Sequence, residues 1–162
     1  MSLTYRVAST SQSRLAAMSV RYGVFVIEQR VPVVLEIDAR DFLSSTTHLL
    51  ATTLEGPVGA ARLLAPTCQS EFPEFHVGRV AVLEAWRGRG IGRDLMKRCE
   101  DAARRQVRSG APLVLVLDAQ VQAEAFYKNL GYLPTGRPRF MDAGILHQEM
   151  AKRTTGSRVL SE

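Results

Sequence analysis

Five consecutive apolar residues, Leu113-Val114-Leu115-Val116-Leu117, limit the folds open to this chain more than any other feature. The run is too short for a helix, and it is apolar on both faces. A central strand of a parallel sheet, covered by a layer on each side, meets that condition. Helical patterns at 91–109 and 121–130 flank it and could supply cover. Ser109-Gly110 with Pro112 stops the first, and Gly131 stops the second.

The rest of the chain reads as a sheet around that strand. Residues 3–8 form a first strand. Residues 12–28 carry Leu15, Met18, Tyr22, Phe25 and Val26 at helical spacing, and Pro32 limits that helix. The stretch 30–46 has no clean period and reads as a functional loop or a short second helix. Strands at 47–53 and 58–64 form a hairpin around Glu55-Gly56-Pro57. A polar loop at 65–74 precedes a strand at 75–83, and two late strands are expected near 132–134 and 145–150. The tail from Thr154 is polar and expected to fray. This order predicts an α/β domain over residues 1–153, with a mixed, mostly antiparallel sheet flanked by helices.

Composition narrows the function. Lys and Arg exceed Asp and Glu by 21 to 16, a net charge of +5 that suits an anionic ligand. The basic residues crowd between Arg87 and Arg108, and the acidic ones between Glu28 and Asp41. Separate regions of opposite sign favour one anionic and one cationic partner over a nucleic-acid track. No aromatic stacking platform accompanies the arginine-rich helix, so nucleic acid is not the expected partner. No run of about 18 apolar residues occurs and the N-terminus lacks an apolar signal core, so no membrane partner and a cytoplasmic location are expected. Cys68 and Cys99 read as reduced thiols, and His48, His76 and His147 form no metal motif, so no metal is expected.

Residues 80–95 carry the chemistry. An apolar strand ends in Val80-Ala81-Val82-Leu83, and Arg87-Gly88-Arg89-Gly90-Ile91-Gly92 leads directly into a helix. Glycines permit positive φ and bring bare backbone N–H groups close to a ligand. The first N–H groups of a helix have no internal partner, and the dipole makes that end attractive to anions. Strand, glycine turn and helix start together make a cradle for a diphosphate. It is neither a Walker loop nor the dinucleotide fingerprint.

Here the sequence resembles the GNAT superfamily of acyl-CoA-dependent N-acetyltransferases, whose signature is Arg/Gln-x-x-Gly-x-Gly/Ala. Arg87, Gly90 and Gly92 match it. The stretch Asp118 to Tyr132 resembles that family's Asn-x-x-Ala-x-x-Phe-Tyr-x-x-Leu-Gly-Phe through Ala123, Phe126, Tyr127, Leu130 and Gly131. Tyr132 stands for Phe, and Gln120 replaces Asn. Val24 to Gln29, Glu36, Asp38, Asp41, Arg79 and the ending Asp142 to Met150 look like the ElaA-type branch.

The resemblance implies a fold with a splayed strand pair holding CoA, and acetyl-CoA as co-substrate. The backbone of Val80, Ala81 and Val82 would pair with the pantetheine arm, and a strand N–H around Ala81–Val82 could stabilise the oxyanion. Arg87, Gly88, Arg89, Gly90, Ile91, Gly92 and Arg93 would receive the diphosphate, and Gln120 would bond the pantetheine. Tyr127 would sit near the sulfur and protonate the leaving thiolate. Glu28, Asp38, Asp41 and Arg79 would border the acceptor, with Glu36 adding to the acidic cluster. Its charge would attract a cationic amine, on a small molecule or a peptide. Glu28, His147 and His76 are the candidate bases. Direct transfer needs no covalent intermediate, so neither cysteine is cast as nucleophile. A homodimer and a non-catalytic acyl-CoA-binding sensor or interaction module remain open alternatives.

Overall fold

The computed structural model describes residues 2–67 and 71–157. Cys68 and residues 158–162 lie outside the described residues. Packing separates the chain into two compact units, Met1–Leu64 with Gly78–Cys99, and Ala65–Val77 with Glu100–Glu162.

The first unit holds strands β1 (Thr4–Val7), β2 (Thr47–Thr53) and β3 (Gly56–Leu63) in antiparallel order. Helix α1 (Ser11–Arg21) starts at a reciprocal cap. The Thr10 hydroxyl accepts from the Ser13 N–H at 3.1 Å, and the Ser13 hydroxyl accepts from the Thr10 N–H at 3.0 Å. The buried face of α1 is Ser13, Ala17, Val20 and Arg21, followed by Val24. The stripe expected from Leu15 and Tyr22 is corrected, since Leu15 is 65% exposed and Tyr22 44%. The neighbours are small: Ala8, Ala17, Val20, Val24, Leu50, Ala60 and Ala81 share one core, with Phe25 against it. Small residues let a helix sit close to its sheet, and Leu15 is left to solvent.

Beyond α1 the helix widens into a π-helical turn, Tyr22–Glu28. The expected irregular stretch contains helix α2 (Val33–Glu36) and a 3-10 turn, Ala39–Phe42. Strand β4 (Glu74–Val82) carries Arg79 at φ 53, an interruption of its extended backbone. Helix α3 (Ile91–Arg105) follows. Gly59 explains its approach: a Cβ there would lie 2.9 Å from Ile91 Cγ2 and 3.1 Å from Leu95 Cδ1. In α3 the buried residues are Ile91, Leu95, Met96, Cys99 and Ala103. The helix stops at Arg105, short of residue 109.

The second unit is built on β5 (Pro112–Gln120), the strand predicted from its apolar run. Leu113, Leu115 and Leu117 on one face are at most 3% exposed, and Val116 on the other is 5% exposed. A 3-10 turn (Val121–Ala123) and α4 (Glu124–Asn129) follow, then β6 (Leu133–Pro134), β7 (Phe140–Asp142) and β8 (Ile145–Thr155). The short strand β7 has no counterpart in the sequence reading. The tail boundary is also corrected. Thr154 and Thr155 pair with Leu113 and Pro112, and Gly156 bridges Ser109.

Among the described residues, eight strands run β1-β2-β3-β4-β5-β8-β6, with β7 on β8. β4 and β5 are parallel, and the pairs of β5, β6 and β7 with β8 are antiparallel. The expected mixed sheet flanked by helices is therefore the architecture found. The β4–β5 ladder covers Glu74–His76 against Val114–Val116. No described helix is long and apolar enough to cross a membrane.

Candidate active site

In the first unit, β4 ends at Val82. A 3-10 turn (Glu84–Trp86) and the glycine loop then lead into α3. Gly88 and Gly90 sit at φ 75 and 80. At Gly90 a side chain would also meet Arg93, whose Nη2 lies 3.2 Å from the position of a Cβ. The first helical bond runs from the Asp94 N–H to the Gly90 carbonyl at 3.0 Å. The N–H groups ahead of it open α3, and these are the donors an anion can use. Asp94, the acid of the first turn, accepts from the Tyr5 hydroxyl at 2.9 Å. Burial and that bond push the Tyr5 phenol up to about 12. Arg89 stacks over Trp86, 4.7 Å from the ring centre.

Arg87, the first residue of the signature, donates from Nη1 and Nη2 to Glu28 at 2.7 and 2.6 Å. Its Nε donates to the Val82 carbonyl at 3.0 Å. The Arg87 hydrogen bond holds the Glu28 carboxyl below its ordinary value. That weakens Glu28 as a proton acceptor, against the expectation that it could be a base.

The acidic cluster differs from the one expected. Glu36 and Asp41 are 2% and 1% exposed. Asp41 accepts from Arg21 at 2.7 and 3.0 Å and from Arg62 at 2.8 Å. Arg21 also reaches Glu36 at 2.5 Å, and Arg62 bonds Asp38 at 3.1 and 3.2 Å. Arg79 bonds the Leu35 and Glu36 carbonyls and lies 3.0 Å from Glu36 Oε2. Burial alone would raise the Asp41 carboxyl, but bonds from Arg21, the Asp38 N–H and Arg62 hold it far below the usual range. These acids are paired with arginines, and through those pairs Asp38, Asp41 and Arg79 brace the 33–42 segment. The sequence reading missed Arg21 and Arg62. Each is a lone charge inside an apolar pattern, which is the signal for a buried pair.

The second unit carries the other candidates. Tyr127 lies on α4, half-buried, edge-on to Phe126 at 4.9 Å and to Tyr132 at 6.2 Å between ring centres. Its carbonyl accepts from the N–H groups of Leu130 and Tyr132 at 3.0 and 3.1 Å, which turns the chain after α4. Arg139 and Lys128 hold Glu124 at the start of that helix. Gln120 accepts from Gln122 Nε2 at 2.9 Å. His147 is the cross-strand partner of both Gln120 and Phe140, and its ring stacks on Phe140 at 5.9 Å. Its Nδ1 lies 2.8 Å from the Ile145 carbonyl. A carbonyl only accepts, so Nδ1 carries the proton and Nε2 holds the lone pair of the neutral ring. His76 Nε2 lies 2.9 Å from Glu74 Oε1.

Comparison with known proteins decides the family. Residues 27–154 match the acetyltransferase (GNAT) domain. The chain belongs to the GNAT acetyltransferase family. The uncharacterized N-acetyltransferase YjcF of Bacillus subtilis is 36% identical over 146 residues, 90% of this chain and 96% of that one. Protein ElaA of Escherichia coli is 29% identical over 137 residues, 85% of each. The crystal structure of Escherichia coli ElaA superposes with a TM-score of 0.76 and 26% identity, over 93% of this chain and 99% of that one. An acyl-CoA N-acyltransferase from Pseudomonas aeruginosa gives 0.77 and 27%, over 94% and 99%. This GNAT protein is thus an acyl-CoA-dependent acyltransferase, and its relatives include ElaA.

Proposed function

We propose that this GNAT protein transfers an acetyl group from acetyl-CoA directly to a primary amine. The loop carries the reading. Gly88 and Gly90 at positive φ turn the chain so that the amides opening α3 are bare, and a diphosphate is the donor group that such a cradle fits. Gly88, Arg89, Gly90, Ile91, Gly92 and Arg93 receive it. The backbone of Val80, Ala81 and Val82 lies beyond the last β4–β5 pair and serves the pantetheine arm, with Gln120 as a further amide.

The amine nitrogen attacks the thioester carbonyl, and a strand N–H near Ala81–Val82 stabilises the developing oxyanion. The C–N bond forms, the C–S bond breaks, and the Tyr127 hydroxyl gives its proton to the departing sulfur. His147 Nε2 takes the amine proton, directly or through one water, because Ile145 fixes the tautomer that leaves this nitrogen basic. The acceptor is a small-molecule or peptide amine, and the site of action is the cytoplasm. The test is thiol release from acetyl-CoA by the purified protein over a panel of polyamines, aminosugars, lysine derivatives and peptide N-termini. Release with at least one amine, and acetylated product by mass spectrometry, is expected. CoA binding with silence across the panel would reject the transfer.

A further inference from the structure

The bonds around Arg87 assign Glu28 a task other than proton transfer. Two parallel hydrogen bonds, at 2.7 and 2.6 Å, fix the guanidinium plane against the Glu28 carboxylate. The third, at 3.0 Å, ties the same guanidinium to the carbonyl of Val82, the last residue of β4. Arg87 is the residue from which the glycine loop departs, and Glu28 closes the π-helical turn. The pair therefore pins one end of a loop whose glycines have little conformational preference of their own.

We propose that Glu28 is a positioning residue for the donor loop: through Arg87 it holds the glycine turn in the shape that accepts the diphosphate. The inference rests on the reading of residues 88–93 as the donor cradle. A two-pronged arginine–carboxylate pair has a fixed plane and fixed direction, which a lone lysine or a water shell would not supply. Loss of the pair leaves Arg87 free to rotate and the loop free to sample other shapes. Ordering the loop then draws on the free energy of donor binding. The Arg87 charge is already matched by Glu28, so the pull on phosphate falls to the backbone amides, Arg89 and Arg93. Both partners are part-exposed, which limits the pair to about a fivefold effect on affinity.

The experiment varies acetyl-CoA in steady-state kinetics and measures CoA affinity by calorimetry for Glu28→Gln, Glu28→Ala, Arg87→Ala and the double alanine variant. The expected result is a rise of about three- to fivefold in KM and in the CoA dissociation constant, with kcat unchanged. The double variant should resemble either single one, and the defect should shrink at about 1 M salt, where screening weakens the wild-type pair. A fall of about 100-fold in kcat with unchanged KM, together with loss of the acidic limb of the pH profile, would instead make Glu28 the base and overturn the proposal. Unchanged CoA affinity in Glu28→Ala, while Gly90→Val still weakens it, would reject the positioning role and keep the donor cradle. Unchanged affinity in both would remove the cradle itself.

Discussion

A phenol protonates a leaving thiolate only if it is still protonated when the thiolate forms. An ordinary tyrosine, with a pKa of about 10, meets that condition at neutral pH. Tyr127→Phe keeps the ring that faces Phe126 and Tyr132 and removes only the hydroxyl. It should lower kcat by about 100-fold with CoA affinity unchanged, since general acids contribute about that much. Rapid-quench or steady-state thiol release measures it, and equal turnover would take the acid role from Tyr127. The tautomer of His147 depends on one backbone carbonyl, that of Ile145, two residues away on the same strand. The sequence offers His147 as one of three candidate bases, whereas the contact that sets its tautomer comes from the local fold.

At the scale of elements, the turn from β4 into α3 is the critical joint. Gly90→Val puts a β-branched side chain at φ 80 and against Arg93 Nη2. Such a residue rarely adopts positive φ, at a cost of about 1–2 kcal/mol. The loop should shift, and the CoA dissociation constant measured by calorimetry should rise by about tenfold. This joint was readable in the sequence because glycine spacing, strand run and helix start are all local patterns. The central strand was readable for the same reason, from Leu113 to Leu117. The π-helical turn was not. A π turn inserts an extra residue per turn, which resets the angular position of everything after it, and periodicity sees only the average. That reset bears on where Glu28 points, so its Arg87 partner, 59 positions later in the chain, was beyond any local reading. The α1 face was misjudged because size decided its burial: Ala17 and Ser13 fit close to the sheet and Leu15 does not.

For the molecule as a whole, buried charge sets the response to pH. His48 is 2% exposed and its Nε2 donates to the Asp41 carbonyl at 2.9 Å. Burial lowers its pKa from 6.5, so the unfolded chain binds a proton that the folded one refuses. Stability from this group is complete above about 6.5 and falls as the pH drops below it. The Asp41 carboxyl is lowered from 3.8, and its contribution is lost only in stronger acid. Urea midpoints should therefore hold steady above pH 7, decline from about pH 6.5, and decline again below about pH 4. His48→Gln keeps an N–H donor and cannot titrate, so it should flatten the first decline. A decline that survives in His48→Gln would assign it to another group. Arg21 and Arg62 face Glu36 and Asp41 in one nearly dry cluster, and Arg79 and Asp38, 23% and 24% exposed, close its outer side. Deleting one member of such a buried set strands a charge at about 3–5 kcal/mol, a large part of a small domain's stability. Lineages descending from this sequence therefore face a barrier at each single step through the four buried positions, and they should either inherit that set intact or exchange it wholesale for an apolar one.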